Sequence, residues 1–554
     1  MKSTTEDTIR EIMRFHFPED DTNQDSTYHA DIRAQSTEIG SKDDQPFTLE
    51  EMQRTINSTC RGKAPGLDGL IIETIKELRL EDDKQILTLF NKCLQLGYFP
   101  KKWENAELVL FQKEGKAKSM PSSYRPICLL SARSKVLDKM FTQRLTYYLV
   151  KNKLLNPAQY GFTKGRSTTD ALNRVQDIIL NNRQNNLHTC IISLDVTSAF
   201  NKLWWPALKT KLKDLRCPKN LYQLITSYLT ERQVTYKRDA LNIMMNYHKG
   251  APQGCNIGPD LWNIIANSAL NINFGENHKI QAYADDIILI IDGGNRTTIE
   301  RKGGAALKLL TKWSQDNKLC FSIEKTQMIV FPKGSKIDAN PPRIKWEGHP
   351  LRRQDIIKYL GFTLDKKLTW VSHLTEVRDK THGIINKLNS IITDKWSPKG
   401  RLLKHLNLNA IERMILYGCP VWMTGTARIC QKLQQIQRVI LLKITSAYST
   451  TSTAALRVLD GTLPLGLKAG LERSIYRLLH YKENLHIKED LHLSYANIES
   501  FQDPPVLHPG DQPILPCLQT TSKENSSKIV VKFTGISVIH FTPIDYLAVI
   551  KKCP

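Results

Sequence analysis

An aspartate pair set between two short apolar runs, in residues 279–291, constrains the fold of this chain more than any other feature. Residues that favour β-strands flank Asp285 and Asp286 on both sides, and aspartate suits a tight turn. The pattern therefore predicts a β-hairpin that carries two carboxylates at its tip. Because like charges this close raise one another's pKa, a bound divalent cation would relieve their repulsion.

A second apolar run, residues 190–195, ends in Asp195 and is typical of a buried strand with a carboxylate at its exit. Taken alone, Asp195 is more typical of a helix cap or of a turn residue at the end of a strand. A site that transfers phosphoryl groups with two metal ions, however, needs a carboxylate beyond the pair at the hairpin. Asp195, Asp285 and Asp286 together therefore predict a Mg²⁺ site.

The charge balance of the chain indicates a polyanionic partner. Its 554 residues include 78 Lys and Arg against 55 Asp and Glu, a formal net charge of +23. Nucleic acid is the first candidate for such a basic protein. The alternative is that the excess charge only keeps the protein soluble. The length predicts more than one domain, or one large domain with several lobes.

The cysteines and the hydropathy pattern exclude several classes of protein. The 11 cysteines are scattered, without a C-x-x-C pair or a Cys/His cluster at zinc spacing. This predicts neither a disulfide framework nor a zinc site, and indicates a reducing, intracellular setting. No apolar run approaches the roughly 20 residues that span a bilayer, so we expect no membrane partner.

Two motifs carry a resemblance to a known family. Residues 283–286 are Tyr-Ala-Asp-Asp, and residues 194–200 are Leu-Asp-Val-Thr-Ser-Ala-Phe. These blocks resemble the polymerase motifs of reverse transcriptases from non-LTR (LINE-type) retrotransposons, of the jockey-like insect type. Further blocks follow in the family's order over roughly residues 47–470. The resemblance implies an α+β, right-hand polymerase fold with fingers, a palm built on an antiparallel sheet, and a helical thumb.

The resemblance also implies a division of the chain into domains. Residues 1–46 would be a polar linker remnant, and residues 47–340 the fingers and palm of the reverse transcriptase. Residues 341–470 would hold the primer grip and the helical thumb. Residues 471–554 stay unassigned, with a Pro/Ser/Thr-rich flexible linker at 500–528 and two β-like runs between residues 529 and 550.

The implied activity is that of an RNA-directed DNA polymerase, a nucleotidyltransferase that extends a DNA 3′-hydroxyl on an RNA template with dNTPs. Asp195, Asp285 and Asp286 would hold two Mg²⁺ ions, with Mn²⁺ as an alternative. The family's upstream endonuclease is not recognised in this sequence, so we expect either that the chain is a fragment or that nicking is supplied in trans. Such an activity implies a nuclear site of action.

Five further residues match positions with roles in the family. Lys113 and Arg125 match contacts to the triphosphate of the incoming nucleotide, and Phe200 matches the ring that excludes a 2′-hydroxyl. Gln253 matches a contact to the template base or the nucleotide, and Lys325 matches a general acid for the departing pyrophosphate. The plainer alternatives are solvated surface cations for the three basic residues and a core aromatic for Phe200.

Some positions depart from the family pattern. Cys255 and Gly258 stand where relatives usually have serines, and we expect these changes to weaken helix capping or template positioning. Asn201 stands where the family commonly has Asp. A catalytically decayed, nucleic-acid-binding remnant therefore remains as an alternative function. An RNA-binding protein that assists intron splicing is a third.

The sequence also makes local predictions. Thr48 and Glu51 match a capping box at a helix start. Residues 158–170 form a Gly-rich basic turn before a helix, which Thr168 or Thr169 would cap. The basic residues of this turn either face template phosphates or merely precede a capped helix. Within the N-terminal linker, one short helix is predicted near residues 8–15.

Overall fold

The computed structural model describes residues 5–275, 278–334, 340–391, 400–488, 491–493 and 506–512. Most of the predicted linker at 500–528, and the β-like runs between residues 529 and 550, lie outside these described residues.

The described helices are α1 (Thr5–His16), α2 (Thr27–Ala34), α3 (Leu49–Asn57), α4 (Ile72–Leu96), α5 (Ala132–Lys151), α6 (Thr168–Gln184), α7 (Trp205–Asp214), α8 (Lys219–Tyr228), α9 (Gly258–Leu270), α10 (Arg296–Asp316), α11 (Val371–Ile391), α12 (Gly400–Leu406), α13 (Glu412–Leu416), α14 (Cys419–Trp422), α15 (Ala427–Thr445), α16 (Thr453–Asp460) and α17 (Leu465–His480). The described strands are β1 (Asn105–Gln112), β2 (Tyr124–Leu129), β3 (His188–Asp195), β4 (Arg232–Arg238), β5 (Leu241–Tyr247), β6 (His278–Tyr283), β7 (Asp286–Gly293), β8 (Gln327–Phe331), β9 (Lys345–Trp346), β10 (His349–Pro350), β11 (Arg352–Arg353), β12 (Ile356–Tyr359), β13 (Phe362–Asp365), β14 (Leu485–Lys488) and β15 (Leu491–Leu493).

A five-stranded sheet in the order β11-β8-β3-β7-β6 forms the palm. Its ladders are antiparallel except for β11, which runs parallel to β8. Successive residues of β3 and β7 enter two different hydrophobic cores: Ile192 and Leu289 join one, whereas Ile191 and Ile290 join the other. Burial on both faces explains why these strands are almost continuously apolar. The predicted hairpin and the predicted strand before Asp195 are thus confirmed.

A second sheet in the order β2-β1-β4-β5 lies on the fingers side. β1 pairs antiparallel with β2 and parallel with β4. The antiparallel pair is a hairpin, and residues 113–123 form the loop that joins its two strands. The α+β right-hand polymerase architecture predicted from the resemblance is confirmed.

The N-terminal segment differs from the predicted linker with one short helix. It contains α1 and α2, and Met13, Phe17 and Ile32 are buried in the main core. Arg33, Lys318 and Trp204 all donate hydrogen bonds to the Asp20 carboxylate. The predicted helix near residues 8–15 is present as part of α1, but the segment differs from a linker because Met13, Phe17 and Ile32 pack into the core, whereas Phe15 and Tyr28 stay exposed.

Two predicted caps also differ from the structure. Thr48 accepts a 3.2 Å hydrogen bond from the Glu51 backbone, but the Glu51 carboxylate pairs at 2.6 Å with the buried Arg144 instead of closing a capping box. Helix α6 is capped by Ser167 in a reciprocal capping box with Asp170. The predicted Thr168 and Thr169 are therefore its first helical residues.

The chain after the palm forms the β12–β13 hairpin and a set of thumb helices. Within the predicted primer-grip and thumb region, residues 359–365 form the last residue of β12, the turn and β13. Phe362, Trp370 and Trp422 join the core on the outer face of the palm sheet, together with α6. No helix in the described parts of the chain is long and apolar enough to cross a membrane.

A short described stretch of the predicted C-terminal linker, residues 506–512, packs against the fingers. Arg54 of α3 donates hydrogen bonds to the carbonyls of Pro509 and Gln512. His508 lies 3.1 Å from the Asp44 carboxylate and contacts the ring of Tyr147. For these residues the linker prediction was wrong, because Pro, Gly and His here serve as docking contacts.

Candidate active site

The turn that joins β6 to β7 is held from outside the hairpin. Tyr283 and Asp286 are the last paired residues, so Ala284 and Asp285 form the tip. Ala284 has φ of 57°, a left-handed conformation that alanine adopts only under constraint. The constraint comes from Gln159, whose Oε1 accepts from the Ala284 N–H at 3.1 Å, and from Trp262, which donates to the Ala284 carbonyl at 2.8 Å.

The segment that carries Gln159 is joined to the hairpin by backbone hydrogen bonds. The Tyr160 N–H donates to the Ala282 carbonyl at 2.8 Å, and the Ala282 N–H donates to the Ala158 carbonyl at 3.0 Å. A Cβ on Gly161 would overlap the backbone nitrogen of Ala284, so only glycine fits. The sequence predicted for this block either a contact with template phosphates or a capped helix start, and missed its support of the aspartate turn. The available signal was Gln159, a polar residue between Ala158 and Tyr160 and two positions before a glycine.

Strand pairing brings the three predicted carboxylates together. Asp195, the last residue of β3, is paired in register with Asp286, the first residue of β7, and Asp285 precedes it in the turn. Reduced hydration, together with the charges of Asp285 and Asp195, raises the pKa of Asp286 to about 6. Reduced hydration and the charge of Asp195 also raise the pKa of Asp285. The three groups therefore form a crowded acidic site, which we call the acidic side.

The donor set of the acidic side fits a hard divalent cation. Within the described ranges no three Asp, Glu, His or Cys side chains are gathered closely enough to hold a metal ion unaided. Mg²⁺ is usually held by one or two carboxylates together with substrate phosphates and water, so a closed cage is not required. A cation would also relieve the repulsion that raises the pKa values of Asp285 and Asp286.

Lys325 lies directly against the acidic side. Its Nζ is 3.2 Å from the Oδ2 of Asp195, and both side chains are partly exposed. The loop before it is fixed to the end of β3, because the Ser322 N–H donates to the Asp195 carbonyl at 2.8 Å and the Thr197 N–H donates to the Cys320 carbonyl at 2.9 Å. The lysine is thus placed beside the carboxylates by backbone contacts.

Lys113 and Arg125 lie together on the β1–β2 hairpin. Arg125 pairs with Phe111, and the Lys113 N–H donates to the Ser123 carbonyl at 2.7 Å. Burial, followed by the charges of Arg125 and Lys325, lowers the pKa of Lys113. The three cations are therefore close enough to repel one another, and we call them the cationic side. Such a group attracts a polyphosphate.

The exposed Arg125 guanidinium makes no hydrogen bond or ion pair within the parts of the chain that the structure describes. It is therefore free to bind an anion bidentately. Lys113 differs, because its Nζ donates to the Ser122 carbonyl at 2.7 Å. Lys113 would have to exchange this bond for one to a ligand.

Phe200 is half-buried between two aromatic rings. Its ring centroid lies 6.1 Å from that of Phe162 and 6.0 Å from that of Trp262. Its carbonyl accepts a hydrogen bond from Ala251 at 2.9 Å. The ring therefore adjoins the residues that support the aspartate turn, where it could limit the space beside a bound nucleotide.

The predicted template contact, Gln253, already has partners inside the protein. Its Nε2 donates to the Asn201 Oδ1 at 3.2 Å, and its carbonyl accepts from the Cys128 N–H at 2.8 Å. The adjacent Gly254 has φ of 118° and lies so close to the Cys128 carbonyl that a Cβ would crowd it. Gln253 thus ties its loop to β2, and a template or nucleotide contact through it stays a prediction.

The departures at Cys255 and Gly258 are accommodated by a buried aspartate. Helix α9 begins at Gly258 without a side-chain cap from Ile257. The Asp138 carboxylate of α5 instead accepts hydrogen bonds from the backbone N–H groups of Asn256 and Ile257, at 2.6 and 3.2 Å. A Cβ at position 258 would lie only 3.2 Å from the Cys255 sulfur. The small glycine therefore fits beside the larger cysteine, and Asp138 fixes the backbone of the loop that leads into the helix.

The arrangement of three carboxylates at the ends of neighbouring antiparallel strands, with cations beside them, is similar to the palm of a nucleic-acid polymerase. Residues 112–364 match the reverse transcriptase (RNA-dependent DNA polymerase) family. The match contains all eight residues predicted for the site, namely Lys113, Arg125, Asp195, Phe200, Gln253, Asp285, Asp286 and Lys325.

The chain is similar in sequence to proteins from retrotransposons. A 115 kDa protein in type-1 retrotransposable element R1DM of Drosophila melanogaster is 30% identical over 75% of this chain and 40% of its own length. The RNA-directed DNA polymerase from mobile element jockey of the same fly is 27% identical over 72% of this chain and 44% of its own length. The chain thus spans less than half the length of these relatives. The predicted resemblance to the non-LTR, jockey-like group is confirmed.

Among solved structures, the telomerase from Candida albicans has a TM-score of 0.41 and 12% identity, covering 66% of this chain and 68% of that one. A likeness this distant supports no argument about function.

Proposed function

We propose that the chain is the RNA-directed DNA polymerase of a non-LTR retrotransposon and extends the 3′-hydroxyl of a DNA primer on an RNA template. One observation carries the proposal. Strand register sets Asp195 directly opposite Asp286, with Asp285 at the adjoining turn. This is the arrangement that nucleotidyl transfer with divalent cations requires.

The acidic side would hold two Mg²⁺ ions, with Mn²⁺ as an alternative. When bound, these ions neutralise phosphate charge and lower the pKa of the attacking hydroxyl. Asp285 and Asp286 stay ionised more readily once a cation is present, because it offsets the negative charge that raises their pKa values. The strand ends fix the spacing of these carboxylates before any substrate binds.

The cationic side would bind and orient the triphosphate. Arg125 suits bidentate contact with phosphate oxygens, and Lys113 adds a point charge. During transfer a bond forms between the primer 3′-oxygen and the α-phosphorus, and the bond from that phosphorus to the pyrophosphate oxygen breaks. Lys325 would donate its proton to the leaving pyrophosphate as a general acid. In the free protein, its ion pair with Asp195 already holds it beside the carboxylates at which the reaction would take place.

The partners follow from the same chemistry. An RNA template and a DNA primer suit a chain of net charge +23, and dNTPs suit a triphosphate site beside an aromatic ring such as Phe200. We propose that strand nicking is supplied in trans.

The alternative of a decayed, noncatalytic remnant rested mainly on Cys255 and Gly258. The Asp138 carboxylate accepts hydrogen bonds from the backbone of Asn256 and Ile257, so the loop that enters helix α9 is held in place despite these departures. The structure therefore offers no local reason for lost activity at this loop.

Primer extension tests the proposal. The full chain is incubated with an RNA template, an annealed DNA primer, Mg²⁺ and dNTPs, beside Asp285→Asn and the control Asp239→Asn. Asp239 is an exposed carboxylate at the tip of the β4–β5 hairpin. Its substitution by Asn is the same aspartate-to-asparagine change at a position outside the candidate site. We expect extension by the wild type and Asp239→Asn only. Extension by Asp285→Asn at the wild-type rate would contradict the proposal.

A further inference from the structure

His16 is a buried histidine that connects three loops around the candidate nucleotide site. It is the last residue of α1 and is only 5% exposed. Its Nε2 lies 3.2 Å from the Pro121 carbonyl, and its Nδ1 lies 3.1 Å from the Nδ2 of Asn201. Both ring nitrogens therefore have a partner from a different part of the chain.

The chemistry of the two partners fixes the direction of every hydrogen bond. A carbonyl oxygen only accepts, so the Nε2 of His16 must carry the hydrogen that faces Pro121. The Nδ1 then accepts from the Asn201 amide, which leaves the Asn201 Oδ1 to accept from Gln253 at 3.2 Å. Burial lowers the pKa of His16, in agreement with a neutral ring. The result is a continuous chain of hydrogen bonds, which we call the His16 relay.

Each end of the relay adjoins a candidate nucleotide-binding residue. Pro121 opens the turn whose next two carbonyls accept from the side chain and backbone of Lys113. Asn201 follows Phe200 directly in the chain. Gln253 belongs to the loop that is joined to the Phe200 turn by the hydrogen bond from Ala251 to the Phe200 carbonyl.

We propose that His16 is a positioning residue that sets the Phe200 turn relative to the Lys113 loop, and thereby contributes to the selection of deoxynucleotides. The inference rests on the proposed polymerase function. His16 acts through Asn201 and Pro121. The N-terminal segment, which the sequence indicates to be a mere linker, thus becomes part of the nucleotide site's support.

The chain contains a matched control for this role. His29, in α2 of the same segment, is also buried, and its Nε2 lies 3.0 Å from the Gln315 carbonyl. Its Nδ1 accepts from the Ser26 N–H at 3.1 Å. The two histidines therefore make the same kind of hydrogen bonds, but those of His29 go to the end of α10 and to the residue before α2, and its ring packs edge-on against Trp204 instead of bonding the Asn201 side chain.

The test measures kcat and KM for a dNTP and for the matching rNTP, using wild type, His16→Ala, His29→Ala, Asn201→Ala and the His16→Ala/Asn201→Ala double variant. We expect His16→Ala to raise the KM for dNTP about tenfold and to reduce the preference for dNTP over rNTP by about tenfold, because the Asn201 amide loses its acceptor. The KM for primer–template should change by less than about twofold. Every kinetic constant of His29→Ala should stay within about twofold of the wild-type value. Its Tm should fall about as much as that of His16→Ala.

The double variant separates a relay from two independent contacts. If His16 acts through Asn201, the double variant loses no more discrimination than the more affected single variant. Fully additive losses, or equal behaviour of His16→Ala and His29→Ala, would overturn the proposal. A wild-type chain that extends no primer would instead overturn the polymerase function itself, and this role with it.

A second measurement addresses the relay without relying on turnover. In the ¹⁵N NMR spectrum of histidine-labelled protein, with His16→Ala for assignment, we expect His16 as the neutral Nε2–H tautomer at pH 7. An Nδ1–H tautomer or an imidazolium ring would contradict the hydrogen-bond directions and overturn the relay, whatever the activity of the chain.

Discussion

The carboxylates of the acidic side and the turns that carry Lys113 and Phe200 are held in different ways. Asp195 and Asp286 are strand ends, and the ladder between β3 and β7 sets their spacing through backbone hydrogen bonds alone. The turns next to Lys113 and Phe200, in contrast, are also bonded by a side chain from a distant segment, His16. The comparison teaches that strand register builds the metal site, whereas long-range tethers support these two turns of the nucleotide site.

The aspartate turn itself lies between these two cases. Its arms are strands, but its left-handed residue Ala284 is held by Gln159 and Trp262 from outside the hairpin. The tip of the hairpin therefore depends on tethers even though its base does not. Mutations can separate the two contributions, because substituting a charge at a strand end should affect chemistry and substituting a tether should affect geometry.

Removing a carboxylate from the acidic side should give the largest effect. We expect Asp286→Asn to lower kcat by about 10³-fold or more, since a metal ligand and its charge are both lost. The fold should persist, because the β3–β7 ladder uses backbone groups. Single-turnover nucleotide incorporation measures the effect, with Asp239→Asn as control. A variant that keeps a tenth of wild-type turnover would show that Asp286 is not a metal ligand.

Removing the lysine beside the acidic side should have the next largest effect. A general acid contributes about 10²-fold or more, so Lys325→Ala should lower kcat by about that factor and leave the KM for dNTP nearly constant. The neighbouring exposed Glu324→Gln is the control. A change confined to KM would assign Lys325 to substrate binding instead.

A tether of the aspartate turn should have a smaller, geometric effect. Gln159→Ala leaves the buried N–H of Ala284 without an acceptor, which costs about 1–3 kcal/mol. We expect a loss of about tenfold in kcat and a lower free energy of unfolding in denaturant. Gln281→Ala is the matched control, because Gln281 is a buried amide in β6 that bonds the Ala171 carbonyl away from the turn.

Gln281→Ala should lose similar stability but little activity. Equal losses of activity in the two variants would mean that Gln159 acts only on the stability of the palm.

The smallest predicted effect is a change with pH in the free energy of unfolding, caused by the titration of the buried Asp138 carboxyl. Burial raises the pKa of Asp138 to about 6, even though the hydrogen bonds from Asn256 and Ile257 lower it. A carboxyl with a raised folded-state pKa contributes stability that is fully present at low pH and is lost as the pH rises through about 6. We therefore expect the wild type to lose about 1 kcal/mol relative to Asp138→Asn between pH 5 and pH 7.

Denaturant unfolding of both proteins at several pH values measures this difference. A difference that does not change with pH would show that Asp138 titrates near its ordinary pKa.

Much of the acidic side could be predicted from sequence because its carboxylates directly adjoin the apolar strands that carry them. Successive side chains of β3 and β7 pack into two different cores, so both strands are almost entirely apolar. The aspartates then mark the strand ends that meet solvent. The resemblance supplied the positions of Lys113, Arg125, Phe200, Gln253 and Lys325, and the structure places Lys113, Arg125 and Lys325 close together.

The tethers could not be predicted for the opposite reason. His16, Gln159 and Asp138 bond to residues far away in the sequence. The sequence around each of them does not indicate which distant residue it will contact. The N-terminal segment was mistaken for a linker because its polar composition conceals the few residues that dock. Asp138 is one acid in a long amphipathic helix, where a solvent-facing carboxylate is the usual expectation.

The most direct test of the account is incorporation of a single dTTP opposite adenosine in an RNA template, with an annealed DNA primer and Mg²⁺, by the wild-type chain and by Asp286→Asn. The account predicts that the primer grows by one nucleotide with the wild type only, and that chelating the divalent cation abolishes the reaction. Salt-dependent binding of the RNA–DNA duplex by both chains, with no incorporation by either, would contradict it.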